Sequence, residues 1–458
     1  MKAIRRTLRL DEKSDAGLSL IEVVIAMMIF AIIALGVEFS MVSTLRSAKD
    51  AKGRQVALNL AAQEIDAVRS INDIFAVADS SHTATIPGDA TVYTVARTTD
   101  WVTADGSAAD CGSGGGNLLY KEVNVQVTWN GMIASSPVRA DTIVAPKTTI
   151  NDPSLGTILV STKNAAGAGV AGVTVTTSPS TGSAVPVTDA DGCSYLLKVP
   201  PGTYTVTASK STYIDVNQVT APSASLSVTA GSIASAGFAY DVAGGVTVKF
   251  ASNYTTQTPK LPNNMITTFT STVGGSDLMP GVAKFKLYPA PSYNYVAGGF
   301  LPATTSSPGC LDVDPSQWPD GTNSSGIAIT APDPNTTNFL PGVSVNANLP
   351  MGVASLKTGG SNVWILATAT TPPLGSDDPG CAATPAASYT FGPLSPSSNS
   401  VLVALPYGSY KIQYATGTSS PPSSWSSLSA SLITAPTGFT GLTVTGTTLT
   451  LDPRVVAP

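Results

Sequence analysis

GLSLIEVVIAMMIFAIIALGV, residues 17–37, is the stretch from which the rest of the chain can be read. Leu18–Val37 form 20 consecutive residues interrupted by one charge, Glu22. As an α-helix at about 1.5 Å per residue they extend about 30 Å, the hydrocarbon thickness of a bilayer. Met1–Gly17 carry Lys2, Arg5, Arg6, Arg9 and Lys13 against Asp11, Glu12 and Asp15, which keeps this end on the cytoplasmic side. Two simpler readings leave details unexplained. A secretory signal is cut at a small-residue site after its apolar region, whereas the helical pattern here continues through Arg46, Lys49 and Arg54. An ordinary anchor has no use for a carboxylate near its start, which costs about 2.5–3.5 kcal/mol at mid-bilayer and less near the edge. Glu22 therefore needs a partner.

The residues Gly17-Leu18-Ser19-Leu20-Ile21-Glu22-Val23 resemble the processing motif of type IV prepilins and type II secretion pseudopilins. Leu18 stands where that family usually has Phe, and Ser19 where it usually has Thr. The resemblance implies that a membrane prepilin peptidase cuts between Gly17 and Leu18 and methylates the new N-terminus. Glu22 becomes the fifth residue of the mature chain, placed to neutralise the terminal amine of a neighbouring subunit. Buried singly, an ammonium and a carboxylate each cost several kcal/mol; paired, they cost much less. The partners implied are the peptidase, other pilin subunits and, before assembly, the inner or plasma membrane.

Beyond the membrane the first proline is Pro87, so the helix is expected to run to about Phe75 with only Gly36 and Gly53 as weak points. Leu58, Ala61, Ile65 and Val68 recur at helical spacing and predict a buried stripe. Asp50 and Arg54 are set for an i, i+4 pair. Strand-like alternation follows at 91–98 and 122–129, with a third apolar run at 141–145 and a Gly/Ser-rich loop, 106–117, that holds Cys111. A long helix on a small antiparallel sheet is predicted for 38–148. Its Val-Thr-Trp strand end and the Asn130-Gly131 turn are similar to minor pilins and minor pseudopilins.

At 458 residues the chain has room for several domains. Charged residues make up 12%, and glycine and proline number 41 and 34, an exported, turn-rich composition. A linker is read at 145–155. Short strands then follow at 157–161, 172–177 and 202–208, separated by turns and without helix, which predicts a β-sandwich over 155–242. Val173-Thr174-Val175, Asp191-Gly192 and Pro201-Gly202-Thr203-Tyr204-Thr205-Val206 resemble the carboxypeptidase-regulatory or collagen-adhesin B-type sandwich. In some relatives a lysine there forms an isopeptide bond; Lys163 is the position to consider, with no matching acid evident. The run 196–206 parallels 402–412, so a second copy is expected over 351–458, closing on 447–452 as the first closes on 236–241. Residues 243–350 form a further β-rich module of unassigned type. The fold class is α+β: one long helix on a small sheet, then two or three all-β sandwiches.

Cys111, Cys193, Cys310 and Cys381 show no C-x-x-C spacing. In an exported chain an even number favours disulfides, and four cysteines allow three pairings. Cys111–Cys193 and Cys310–Cys381 is the pairing expected, the second because both residues follow a Pro-Gly step; free buried thiols are the alternative. His82 is the only histidine, so zinc sites and histidine-based catalysis are unsupported. Asp312, Asp314 and Asp320 offer carboxylates for a hydrolase pair or calcium, as does Asp189-x-Asp191-Gly192 for calcium, yet spacing and interleaved prolines favour turns. Trp318, Tyr293, Tyr295 and Trp364 are read as core before ligand face. Net charge is −5, and without the leader −7, so no footprint for nucleic acid is visible. No cofactor, metal or enzymatic role is expected.

The expectation that follows is a minor pilin, membrane-anchored before assembly and extracellular afterwards, that primes or caps a filament and displays a β-module head to a surface or host receptor. A minor pseudopilin of a type II secretion system is the rival, and an anchored surface enzyme a third reading.

Overall fold

The computed structural model describes residues 20–456, apart from 89–90, 105, 107, 110, 112–116, 133–136, 149, 182–186, 274, 282, 324, 371–376, 383–384, 397–398 and 418. The chain divides into two compact units, Met1–Ala108 with Leu118–Thr149 and Ala109–Asn117 with Ile150–Pro458.

The first unit is built on α1 (Leu20–Ser70), 51 residues without a proline and therefore about 76 Å long. The helix stops short of Phe75. Asn72 and Asp73 follow it, and the Asp73 carboxylate accepts the Phe75 N–H at 3.0 Å, capping a short 3-10 turn at Ile74–Ala76. A side chain that captures backbone in this way competes with continued helix. Five strands follow: β1 (Ser80–Thr85), β2 (Val92–Thr103), β3 (Ala108–Ala109), β4 (Leu118–Trp129) and β5 (Val138–Val144). They form an antiparallel sheet in the order β1-β2-β4-β5, with β3 on β2.

The buried helix stripe differs from the expected one. Gly53, Ala57, Ala61 and Val68 are buried, Ile65 is partly so, and Leu58 is 54% exposed. The reason is packing distance: small residues every fourth position let the helix approach Tyr93, Val123, Val125, Val127 and Trp129 closely. The helix is pinned to the sheet by Glu64 and Arg97, 2.8 Å apart and largely buried, and by Arg69 donating to the Thr142 hydroxyl at 2.8 Å. Asp50 and Arg54 pair at 3.3 Å as the spacing implied.

In the second unit the first sandwich comprises β6 (Gly156–Lys163), β7 (Thr174–Ser178), β8 (Cys193–Val199), β9 (Gly202–Ser209), β10 (Tyr213–Asp215), β11 (Ser223–Val228) and β12 (Ile233–Val242). One sheet runs β10-β12-β6-β8, the other β11-β9-β7, around Ile158, Val160, Val173, Val206 and Tyr240. The second sandwich takes β13 (Gly244–Phe250), β14 (Ile266–Ser271), β15 (Gly275–Pro280), β16 (Lys284–Leu287) and β17 (Ala290–Ala297). A side excursion holds β18 (Gly321–Thr322) and β19 (Ala328–Thr330), after which β20 (Thr336–Phe339) and β21 (Ser344–Leu349) complete it. Its sheets are β16-β13-β21 and β15-β14-β17-β20, with Phe269, Phe285, Tyr293 and Phe339 between them.

The third sandwich consists of β22 (Gly352–Lys357), β23 (Val363–Ala369), β24 (Ser388–Leu394), β25 (Ser400–Leu405), β26 (Gly408–Ala415), β27 (Ser426–Ser427), β28 (Ile433–Thr434), β29 (Leu442–Thr445) and β30 (Thr448–Leu451). The sheets are β25-β22-β28 and β24-β23-β26-β30-β29, with β27 on β26. The last strand, β31 (Val455–Val456), returns to β19.

The internal repeat has a physical basis. In each copy a proline-containing turn carries the chain from one sheet to the other, β8 to β9 and β25 to β26. A tyrosine two residues past the glycine donates its hydroxyl back to a proline carbonyl, Tyr204 to Pro200 at 3.1 Å and Tyr410 to Pro406 at 3.2 Å. The copies diverge at their closing strands. β12 runs parallel to β6, whereas β30 runs antiparallel to β26. The third sandwich thus shares the corner of the first and not its topology.

Candidate functional site

The outer surface of the first half of α1 is bare apolar side chain. Leu20 is 82% exposed, Phe30 73% and Phe39 79%. The helix is long and apolar enough to cross a membrane, and none of its most apolar 18-residue window is buried in protein. Glu22 lies in the first turn, where a negative charge is favoured by the helix dipole. The next charges along the helix are Glu38 and Arg46. Gly17 and Leu18, with the whole expected leader 1–17, lie outside the described residues. Such a surface is stable only in lipid or against other apolar helices.

All four cysteines are oxidised. Cys111 is bonded to Cys193 and Cys310 to Cys381. Cys111 sits in the 109–117 stretch that leaves the first unit's sheet after β3, and that stretch belongs to the second unit. Its partner is the first residue of β8.

The three aspartates between 312 and 320 do not converge. Asp314 caps the 3-10 turn Pro315–Gln317 through Ser316, and Asp320 accepts the Ala331 N–H at 3.1 Å. Asp312 is 1% exposed and packs against Gly408, whose missing Cβ would stand 2.4 Å from its Oδ2. Burial, and then the nearby Asp378 charge, push the Asp312 carboxyl up to about 7. Asp378 itself is raised by burial, while accepting the Ser409 hydroxyl at 2.6 Å. The tyrosine hydroxyls of Tyr389 and Tyr410 are likewise pushed up by burial. Sequence reading missed Asp378, which lies 66 positions from Asp312 but three residues from Cys381, whose bond to Cys310 draws the two aspartates together. Cys310, Asp312 and Cys381 stand close enough to hold a metal, yet both sulfurs are spent in the disulfide, so the donor set does not fit one.

Asp189 makes a turn, accepting from the N–H groups of Asp191 and Cys193. Lys163 ends β6 in an isolated bridge to Gly169, and His82 is exposed on β1. Trp318, Tyr293 and Tyr295 are buried in the sandwich cores, and Trp364 is buried against Gly392.

A model of the prokaryotic N-terminal methylation motif matches residues 13–37. No curated protein matches the chain. Among solved structures, the Bacillus anthracis TIE protein aligns at 13% identity, covering 74% of this chain and 70% of its own, with a TM-score of 0.18. A streptococcal ancillary pilin aligns at 11% identity over 55% of this chain and 91% of its own, again with a TM-score of 0.18. The Bacillus cereus major pilin subunit BcpA aligns at 10% identity over 61% of this chain and 94% of its own, TM-score 0.18. Scores this low carry no argument about fold, so the methylation motif is the finding that bears on function.

Proposed function

We propose that this pilin-type protein is a minor pilin, cleaved after Gly17, that enters a type IV filament through its bare helix and presents its β-sandwiches at a filament end for adhesion. The observation that carries the reading is the junction of two unlike parts in one chain. An exposed apolar helix of 20–45 needs cover, in lipid or, within a filament, among other helices whose axes pack about 8–10 Å apart. Residues 150–456 form three two-sheet sandwiches, each at least two sheets thick at about 10 Å between sheets. A head of that bulk does not repeat along a close-packed shaft, and an end position removes the conflict. The role requires no cofactor and no catalysis.

Immunogold labelling tests the placement: label at filament ends, at low abundance, is expected, and dense label along the shaft refutes it. A deletion strain scored together for piliation, surface adhesion and exoprotein release tests the role. Loss of adhesion with normal exoprotein release is expected. Loss of release with normal piliation turns the assignment to a secretion pseudopilin.

A further inference from the structure

Between the second and third sandwiches lies a groove of about 600 Å³, within the roughly 300–1,000 Å³ of sites that hold small ligands. One wall is the segment from Tyr254 to Lys260, between β13 and β14; the others come from β22, Ser395 after β24, β25, and the end of β28 with the residues after it. The walls are fixed by backbone. Lys260 lies alongside β25 in a parallel bridge to Val403, donating its N–H to Leu402 and accepting that of Ala404, both at 2.9 Å. Asn263 adds its own N–H to Thr390 at 2.7 Å and its side-chain amide to the Gly392 carbonyl at 2.6 Å. The side chains facing the groove are not used in this stitching. The side chains of Gln257, Lys260, Thr434 and Thr437 enter no hydrogen bond or ion pair among the described residues. In the apolar cleft by Leu340, by contrast, Asp241 and Asn164 are committed to backbone N–H groups. Among the described residues Lys260 is also the one charged residue lining the groove, in a chain whose net charge is −5.

A preorganised concave surface with unspent hydroxyl and amide groups, one cation and no carboxylate suits a ligand rich in hydroxyls and bearing negative charge. We propose that the groove binds an acidic saccharide carrying carboxylate or sulfate. Lys260 meets the anion, Gln257, Thr434 and Thr437 exchange hydrogen bonds with ring hydroxyls, and Pro436 packs against a sugar's C–H face. The assignment gives the adhesive head a ligand class but rests on the groove alone.

Full-length protein in detergent micelles, titrated by calorimetry with a polyuronate oligosaccharide, a sulfated oligosaccharide and neutral dextran, tests it. Saturable binding of one or both acidic sugars is expected, with dextran at least tenfold weaker. Lys260→Gln lowers affinity about tenfold or more, the loss expected for one charge-assisted hydrogen bond. Lys284→Gln, which removes the same charge from β16 outside the groove, leaves affinity unchanged. Equal losses in the two lysine variants, equal binding of dextran, or no binding overturn the proposal. A deletion strain that adheres normally removes the adhesive reading while leaving binding by the purified protein intact, so the two fail separately.

Discussion

Trp129 closes on Gly53 so tightly that a Cβ on the glycine would stand 2.8 Å from the indole Nε1. The contact sets how near α1 comes to β4, and it opposes helix propensity, by which alanine is favoured over glycine by about 1 kcal/mol. Gly53→Val adds volume and a β-branch where no room exists, and is expected to cost about 1–3 kcal/mol. Hydrogen exchange on β4 amides measures it: faster exchange there, with the second unit unchanged, is expected. Unaltered β4 protection refutes the claim that Gly53 sets the helix–sheet distance.

The Cys111–Cys193 bond closes a loop with a sequence separation of 82, and Lys147 in the expected linker lies inside it, exposed. A chain cut there is therefore still one molecule. With a specific protease site inserted after Lys147, cleavage is expected to yield two bands only on reducing gels. Two bands without reductant rule out the pairing. Cys111→Ser with Cys193→Ser releases the second fragment at once, and loses stability on the order of 4 kcal/mol by loop-closure entropy.

Asp312 makes stability fall as pH rises. Its folded-state value of about 7 lies above its ordinary 3.8, so between these the folded chain holds a proton the unfolded chain has released. Stability from this group is complete below pH 4 and is lost progressively through pH 7. At about 1.36 kcal/mol per unit the loss is at most on the order of 4 kcal/mol. Urea midpoints at pH 4.5 and pH 8, compared between wild type and Asp312→Asn, measure it. The variant is expected to flatten the slope and to be the more stable chain at pH 8. An identical slope in both sinks the assignment.

The membrane segment, the sheet strands β2, β4 and β5 and the sandwich corners were legible because each is written locally, as an apolar run, as alternation, or as a Pro-x-Gly turn. What escaped is what distance brings together. β1 (SSHTAT) has no apolar alternation and joins the sheet through its backbone register with β2, with only Ala84 packed against the core. The parallel pairing of β12 with β6 joins the two ends of a sandwich, and no local signal marks it. The helix stripe was misread at Leu58 because hydrophobicity favours the larger residue, whereas the sheet's proximity favours Ala57. The unused polar side chains around Lys260 likewise became visible only once strands distant in sequence were neighbours, whereas Asp378 follows from the Cys310–Cys381 bond beside it.

Glu22 carries the last prediction. It stands in the first turn of a helix whose apolar residues up to Leu45 are all exposed, so in lipid or in a filament it is the one charge before Glu38. Removing one partner of a buried ion pair costs about 3–5 kcal/mol, because the other charge stays buried without compensation. If Glu22 neutralises the terminal amine of a neighbouring subunit, Glu22→Gln keeps the side chain's length but leaves that amine alone, and incorporation should fall at least a hundredfold. Cleavage after Gly17 should continue, since the substitution leaves the bond and both its residues intact. Glu22→Asp keeps the charge one methylene shorter and should restore part of the incorporation. The readout is the ratio of processed protein in sheared filaments to that in membranes. Wild-type incorporation of the Gln variant, or equal failure of Gln and Asp, removes charge neutralisation as the reason for the residue.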